Sequence, residues 1–140
     1  MESQLQSCVL NKDVKKRILV IDDNADTLIL LQCVLEDICK WDVITVKSAD
    51  EGLVKATTET LDVIILDGVM PEMDALNFLT QLRSNPNTQT LPVILLTGSI
   101  IIAEQISFLD YNVSGVIIKP FDPLSLCEQV AQFLGWTIAM

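Results

Sequence analysis

The sequence predicts an α/β protein with a doubly wound, five-stranded parallel sheet. Five short apolar segments rich in Val, Ile and Leu recur along the 140 residues, and segments of helical periodicity follow them. Strands buried on both faces of a parallel sheet have this continuous apolar character. Alternation of strand and helix in units of this length favours right-handed crossovers, with helices on both faces of the sheet. The length suits a single domain with one core.

The first two strand–helix units lie in the N-terminal half. The first strand spans about Arg17 to Ile21, and the following helix has a buried face at 3-4-3 spacing, formed by Leu28, Leu31, Leu35 and Ile38. The second strand, about Val43 to Val46, contains Thr45 and is typical of a less buried edge. Its helix begins with Ser48 and Glu51, whose S-x-x-E spacing predicts a capping box that satisfies amides of the first turn.

The third and fourth units follow the same order. The third strand, about Val63 to Leu66, precedes a helix whose predicted inward residues are Ala75, Leu79 and Leu82. The turn cluster SNPNTQT then separates this helix from a fourth strand at about Val93 to Leu96. The fourth helix is predicted to face inward with Ile102, Ile106 and Leu109.

Gly115 opens the fifth strand, and Asp122 with Pro123 predicts the start of a last helix. That helix ends at Gly135, and its predicted inward residues are Leu126, Val130 and Leu134. Residues 1–14 show no periodicity and are expected to form a loose tail, so that the folded domain covers residues 15–140.

Charge and hydropathy exclude several classes of protein. The net charge of -10 argues against nucleic acid as a direct partner, and the absence of histidine removes imidazole as a base or metal ligand. The longest apolar stretch, Leu91 to Ala103, is interrupted by Pro92, Thr97 and Gly98, whereas a membrane span needs roughly 20 apolar residues. No signal peptide is evident at the N-terminus. We therefore expect a cytoplasmic protein without membrane insertion.

The four cysteines do not form a C-x-x-C pair, and their spacing fits neither a zinc site nor a redox motif. Three of them fall within helical patterns, namely Cys33, Cys39 and Cys127. We predict that they are small buried hydrophobic residues without thiol chemistry.

Polar residues end four of the apolar segments. Asp22 and Asp23 end RILVIDD, Asp67 ends DVIILD, Thr97 ends LPVILLT and Lys119 ends GVIIK. In open α/β sheets, ligands bind beyond the carboxyl ends of the strands, where strand order reverses. These five residues are therefore expected to form one site.

Three carboxylates in one site need a cation or a raised pKa, since one pair of unit charges about 4 Å apart repels by about 4 kcal/mol at an effective dielectric constant of about 20. An all-oxygen site with open positions suits Mg²⁺. With the metal present, one carboxylate can act as nucleophile toward a phosphoryl group and form an aspartyl phosphate. Lys119 would add a second cation, and the Thr97 hydroxyl could bind a phosphoryl oxygen.

Over residues 16 to 135, the chain resembles the receiver domain of two-component response regulators. The acidic pair is IDD at 21–23, the acceptor segment is LDGVMPEMDAL at 66–76, the hydroxyl segment is LLTGS at 95–99, and the lysine segment is IIKPFDPLSL at 117–126. Their spacings are similar to those of the family. The resemblance implies a stand-alone receiver with a flavodoxin-like (βα)5 fold and strand order 2-1-3-4-5.

The resemblance also implies a role for each site residue. Asp67 would accept a phosphoryl group from a histidine kinase or phosphotransfer protein, and Asp23 would bind Mg²⁺ directly. Asp22 would act mainly through water, and the backbone carbonyl of Val69 would be a further metal ligand. A cis peptide bond before Pro120 would aim Lys119 inward. The phosphorylated form would change its surface toward a downstream protein target.

Two local features depart from a simple receiver. Val116 stands where many receivers have an aromatic residue or histidine that moves with the hydroxyl residue. Ile100, Ile101 and Ile102 cannot all face the core of one helical turn. They form either an apolar patch suited to a partner or a second copy of the chain, or a partly buried loop.

Two other functions remain open at this point. An aspartate-nucleophile phosphatase of the haloacid dehalogenase type uses the same residue types, but its nucleophile opens a D-x-D motif, whereas Gly68 and Val69 follow Asp67. A degenerate receiver would bind partners without phosphorylation. Its acidic site would not be needed, yet that site is complete here. The receiver hypothesis predicts no enzyme activity beyond self-phosphorylation and self-dephosphorylation on Asp67.

Overall fold

A computed structural model describes residues 15–67, 75–98, 100 and 113–136. Five parallel strands form one sheet: β1 is Arg17–Ile21, β2 is Asp42–Val46, β3 is Val63–Asp67, β4 is Val93–Thr97 and β5 is Gly115–Ile118. Their order is β2-β1-β3-β4-β5. The predicted doubly wound α/β fold and the strand order are therefore confirmed.

Helices connect the strands. Helix α1 is Ala25–Cys33 and continues as a π-helical turn, Val34–Ile38. Helix α2 is Ala49–Thr58, α3 is Ala75–Ser84 and α4 is Leu126–Leu134. The helix predicted between β4 and β5, with its inward residues Ile102, Ile106 and Leu109, lies outside the described residues, as does the predicted tail. None of the helices in the described ranges is long and apolar enough to cross a membrane.

The central strands are buried on both faces, and their alternate residues divide between two apolar clusters. Leu19 and Ile21 of β1 pack with α2 and α3 in one cluster, which also contains Phe78. Ile18 and Val20 pack with α1 and α4 in the other. As predicted, β2 is a less buried edge. The central strands therefore have little freedom to shift, which fixes the direction of their carboxyl ends.

Two of the predicted caps are observed. The Glu51 amide donates to the Ser48 hydroxyl over 3.2 Å, and that hydroxyl lies 3.2 Å from Glu51 Oε1. Gly135 ends α4 in the left-handed conformation, with φ 71°. The proposed start of α4 is wrong, because Asp122 instead caps a turn by accepting from the Leu124 amide, and the helix begins at Leu126.

Ile38 was predicted to face the core, but its side chain is 47% exposed. The cause is the π-helical turn, in which the Cys39 amide donates to the Val34 carbonyl. This wider turn holds more residues than an α-helical turn, so the 3.6-residue periodicity behind the prediction no longer applies after Val34.

The prediction that the cysteines lack thiol chemistry is also wrong. Cys39 and Cys127 form a disulfide, with their Cα atoms 5.5 Å apart and 88 positions apart in sequence. Cys33 is free and exposed rather than buried. Tertiary structure brings Cys39 and Cys127 together, and no local spacing reveals such a pair.

Candidate functional site at the carboxyl ends of the strands

Strand register places the polar strand ends side by side. Ile21 of β1 is paired with Leu66 of β3, so Asp22 and Asp67 each follow by one residue on neighbouring strands. Asp67 is paired with Leu96, and Thr97 follows at the end of β4. Thr97 is in turn paired with Ile118, the residue before Lys119. Four strands therefore bring these polar residues to one edge of the sheet.

Asp22, Asp23 and Asp67 form a compact acidic cluster. One carboxylate oxygen from each lies within 4.8 Å of the others. Asp22 and Asp67 are only 1% and 5% exposed, while Asp23 is open to solvent. Buried carboxylates at this separation repel one another strongly. Three converging oxygen ligands with a solvent-facing side suit a hard divalent cation such as Mg²⁺, which keeps part of its water shell.

Lys119 supplies the cationic group of the site. Its ammonium nitrogen lies 3.3 Å from Asp22 Oδ2 and 3.5 Å from Asp67 Oδ2. The Lys119 amide donates to the Thr97 carbonyl over 2.8 Å, which ties the lysine to the end of β4. The peptide bond between Lys119 and Pro120 is cis. The lysine thus connects two carboxylates that come from different strands.

The two carboxylate oxygens of Asp22 have separate partners. Oδ2 faces Lys119, whereas Oδ1 accepts from the Asn24 amide over 2.9 Å. Asn24 is also the N-cap of α1, since its side-chain oxygen accepts from the Thr27 amide. Asp22 is therefore held by the turn that begins α1. This positioning role of Asn24 was not predicted from the sequence, although an asparagine directly before a helical segment is a recognisable capping signal.

Thr97 is completely buried at the end of β4. Its neighbour Gly98 lies beside Lys119, since a Cβ atom at residue 98 would be in ordinary van der Waals contact with Lys119 Cβ, at 3.9 Å. The structure thus brings Asp22, Asp23, Asp67 and Lys119 into one cluster and places Thr97 on the adjoining strand end. Val69 lies outside the described residues.

Known proteins share both the sequence pattern and this fold. Residues 18–131 match the family model described as response regulator receiver domain. The chain is 33% identical over 121 residues to the alkaline phosphatase synthesis transcriptional regulatory protein PhoP of Bacillus subtilis, covering 86% of this chain and 49% of that protein. It is 35% identical over 117 residues to an uncharacterized 14.6 kDa protein of Leptolyngbya boryana, covering 83% and 88%. The chain thus spans about half the length of the first of these relatives.

A solved structure agrees with the sequence comparisons. The chemotaxis response regulator CheY4 of Vibrio cholerae superposes with a TM-score of 0.78 at 26% identity, over 86% of this chain and 100% of that one. The family match covers most of the sheet and its helices, and it includes the residues of the acidic cluster and Lys119. The chain belongs to the family of response regulator receiver domains, which operate in two-component signalling.

Proposed function

We propose that the chain is a phosphoryl-accepting receiver in which Asp67 is the residue modified. The observation that carries this proposal is the position of Asp67 between cationic and anionic neighbours: its carboxylate lies beside Lys119 and within the cluster formed with Asp22 and Asp23. A carboxylate in such a place can act as a nucleophile once the charge of an incoming phosphoryl group is neutralised.

The donor is a phosphohistidine on a sensor histidine kinase or a phosphotransfer protein. A carboxylate oxygen of Asp67 attacks phosphorus, the bond between phosphorus and the imidazole nitrogen breaks, and the imidazole nitrogen takes up a proton. The phosphoryl group remains on Asp67 as an acyl phosphate. Hydrolysis by water returns the free carboxylate and inorganic phosphate, so the domain turns over only on itself.

The acidic cluster fits Mg²⁺, which bound there would neutralise charge on the phosphoryl oxygens. Asp23 and Asp67 would hold the ion directly through carboxylate oxygens and Asp22 would act mainly through water, while the backbone carbonyl of Val69 is the expected third protein ligand. Asp23 is the exposed member of the cluster and so is best placed to receive a hydrated ion. The hydrogen bond from Asn24 keeps one oxygen of Asp22 engaged, in agreement with a role for Asp22 through water.

Lys119 and Thr97 bind the phosphoryl group on its other sides. The ammonium of Lys119 is 3.5 Å from Asp67 and would move to a phosphoryl oxygen as the acyl phosphate forms. The Thr97 hydroxyl, on the next strand, would donate a hydrogen bond to another oxygen. These two contacts would report phosphorylation to β4 and β5, and through them to the surface that a downstream protein target recognises. Val116 on β5 is partly buried against the core and would carry this signal without an aromatic side chain.

The proposed setting is the cytoplasm, with protein partners and no direct contact with nucleic acid or membrane. The apolar segment Ile100–Ile102 is the proposed contact for a second copy of the chain. Ile100 is 60% exposed, while Ile101 and Ile102 lie outside the described residues.

The test is labelling with a small phosphodonor such as acetyl phosphate in the presence of Mg²⁺, read by intact mass and by peptide mapping. We expect one phosphoryl group per chain, on Asp67, and no labelling of Asp67→Asn or after chelation of Mg²⁺. Asp50→Asn is the matched control, because Asp50 is an exposed carboxylate in the first turn of α2. Labelling that persists in Asp67→Asn would overturn the assignment, and repeated hydrolysis of a generic phosphate ester would favour a phosphatase instead.

A further inference from the structure

The disulfide between Cys39 and Cys127 joins the two helical segments that extend from the functional site. Helix α1 begins two residues after Asp23 and leads through the π-helical turn to Cys39. Helix α4 begins seven residues after Lys119, and Cys127 is its second residue. Their Cα separation of 5.5 Å lies within the usual range for cystine. One covalent bond therefore connects the segment that follows the acidic pair with the helix that follows the lysine.

The two cysteine residues differ in their exposure to solvent. Cys127 is only 6% exposed, whereas Cys39 is partly exposed at the end of the π-helical turn. A small thiol or disulfide in solution can therefore reach Cys39 more easily than Cys127. Such an asymmetry favours thiol–disulfide exchange that starts at the Cys39 sulfur and is completed at the Cys127 sulfur.

Two tryptophans lie close to this crosslink in sequence and share its cluster. Trp41 follows Cys39 by two residues, and Trp136 follows the end of α4; both pack against the apolar cluster that also receives Cys39. Their ring centroids are 5.3 Å apart in an edge-to-face arrangement, and Lys16 Nζ lies 4.8 Å from the Trp136 ring centroid. The Trp41–Trp136 pair thus connects the same two segments without a covalent bond.

We propose that Cys39 and Cys127 form a reversible redox switch that fixes α4 to the segment following α1. The cytoplasm, proposed above as the setting of this protein, is a reducing compartment. Protein disulfides that form there are usually opened and closed in response to redox conditions. The closed form holds α4 covalently, while the open form holds it only through packing and the tryptophan pair. This input is separate from phosphoryl acceptance and does not depend on it.

The reaction is thiol–disulfide exchange with a small disulfide such as oxidised glutathione. The Cys39 thiolate attacks one glutathione sulfur, the sulfur–sulfur bond of glutathione breaks, and one glutathione thiol leaves. The Cys127 thiolate then attacks the Cys39 sulfur of the mixed disulfide and releases the second glutathione thiol. The protein loses two electrons and two protons, and oxidised glutathione takes them up as two reduced molecules.

Opening the disulfide would leave α4 held by noncovalent contacts alone. In the closed form Leu126, Cys127, Val130 and Ala131 of α4 are buried, while Phe133 is 39% exposed and Leu124, just before the helix, is 76% exposed. Without the covalent crosslink the helix should open more readily, and amide hydrogen exchange detects such opening. Closing the disulfide is expected to slow exchange along α4 by about tenfold or more.

The test uses the full chain equilibrated in mixtures of reduced and oxidised glutathione. Non-reducing peptide mapping quantifies the Cys39–Cys127 crosslink, and hydrogen exchange and thermal unfolding are measured on the same samples. We expect a single reversible transition, slower exchange in α4 when the crosslink is closed, and a rise in Tm by about 5 to 15 °C. Cys33→Ser is the matched control, since Cys33 is free and exposed, and it should show the same transition.

Three results would overturn the proposal. They are failure of the crosslink to form in excess oxidised glutathione, its persistence in excess reduced glutathione, and its opening without a change in the amide hydrogen exchange of α4. Cys127→Ser and Cys39→Ser should behave like the reduced protein at every glutathione ratio. The titration of the unmodified chain remains decisive even where a cysteine variant does not fold. Asp67→Asn should keep the full redox transition, so that failure of phosphoryl acceptance is distinguished from failure of the switch.

Discussion

The ammonium of Lys119 lies 3.3 Å from Asp22 Oδ2, while the other oxygen of Asp22 accepts a hydrogen bond from the Asn24 amide. The lysine is therefore held by a carboxylate that is itself fixed by the first turn of α1. Because Asp22 is 1% exposed, its carboxylate is not free to turn toward bulk water, although the Lys119 side chain is 29% exposed. The position of the cation is thus set by the fold before any phosphoryl group arrives, which lowers the cost of organising the site.

Removal of the Lys119 charge should strengthen metal binding while it weakens phosphoryl acceptance. In Lys119→Met, the bound Mg²⁺ would no longer be repelled by an ammonium group beside two of its ligands. We expect Mg²⁺ to bind about three- to tenfold more tightly, a gain of roughly 1 kcal/mol. Isothermal titration calorimetry measures this change. Labelling of Asp67 by acetyl phosphate should fall by at least about a hundredfold, since one of the two cations at the phosphoryl group is lost.

Lys15→Met is the control, because Lys15 is exposed and precedes β1. It lies at the amino ends of the strands, away from the site at their carboxyl ends. This variant should leave both the Mg²⁺ affinity and the labelling rate unchanged. Weaker Mg²⁺ binding in Lys119→Met would contradict the assignment of the metal to this carboxylate cluster.

Neutralisation of Asp23 should stabilise the metal-free protein. Asp23→Asn removes one of three converging carboxylates, and Asp23 is the exposed member of the cluster. The loss of repulsion should raise the free energy of unfolding by about 0.5 to 1 kcal/mol in the presence of chelator. Mg²⁺ should then stabilise the variant much less than it stabilises the unmodified chain, because stabilisation by a ligand follows its affinity.

Urea unfolding with and without Mg²⁺ measures both effects of Asp23→Asn. The increase in the free energy of unfolding that is measured with chelator should become smaller as salt is added, because salt screens the repulsion at an exposed carboxylate. Asp50→Asn, which neutralises an exposed carboxylate outside the cluster, should be stabilised by Mg²⁺ as much as the unmodified chain. An equal response of both variants to Mg²⁺ would place the ion elsewhere.

Gly52 lies where α2 approaches β1 closely. A Cβ atom at this position would overlap Ile21 Cδ1 and would lie 3.5 Å from Phe78 Cε1. Alanine normally stabilises a helix by about 1 kcal/mol relative to glycine, but overpacking of the core costs about 1 to 3 kcal/mol. We therefore expect Gly52→Ala to lower the free energy of unfolding by about 1 kcal/mol.

A second substitution tests this explanation. Ile21→Val removes the Cδ1 atom that the new methyl group would meet, and the double variant should recover part of the loss, which a double-mutant cycle measures. Because Ile21 directly precedes Asp22, Gly52→Ala should also slow the labelling of Asp67. Strictly additive effects of the two substitutions would show that the collision is not the cause.

Arg83 organises the turn between α3 and β4. Its Nη1 donates to the carbonyls of Thr88, Gln89 and Leu91, over 3.3, 3.2 and 2.8 Å. Partial burial lowers the pKa of Arg83. Arg83→Met should reduce the free energy of unfolding by about 1 to 3 kcal/mol, because a charged donor to three carbonyls is lost. The exposed Gln81→Met on the same helix is the control and should change stability by less than about 0.5 kcal/mol.

Denaturant titration measures both α3 variants. Thr88, inside the same turn, is 1% exposed and donates through its hydroxyl to the Leu82 carbonyl. The turn should therefore loosen locally in Arg83→Met, with faster amide exchange at residues 85–91. A loss of stability without faster exchange there would show that Arg83 acts by some other contact.

The sequence allowed the sheet to be predicted well because its strands are buried on both faces. The predicted β1 boundaries are confirmed, and β2, β3 and β4 each extend one residue further than predicted. The predicted third and fourth strands end one residue before Asp67 and Thr97, since a polar residue marks the end of an apolar segment. Hydrogen bonding in the ladder extends to these residues regardless of side-chain polarity.

The site could be predicted because parallel strands bring their carboxyl ends to one edge, so that distant residues such as Asp22, Asp67 and Lys119 become neighbours. The features that escaped prediction have a different origin. The disulfide depends on how α4 packs against the π-helical turn, and the exposure of Ile38 depends on the change of helical pitch at Val34. Neither the pitch nor the packing has a signal in the local sequence.

Alternate residues of β1 face opposite layers of helices, and this geometry has a mechanical consequence for the acidic pair. Leu19 and Ile21 pack with α2 and α3, while Ile18 and Val20 pack with α1 and α4. A displacement of the helices in either layer would therefore displace β1, and with it Asp22, which directly follows the strand. The two layers of helices thus act on one carboxylate from opposite faces of the sheet, so that substitutions on opposite sides of the protein can compensate for each other at the acidic cluster.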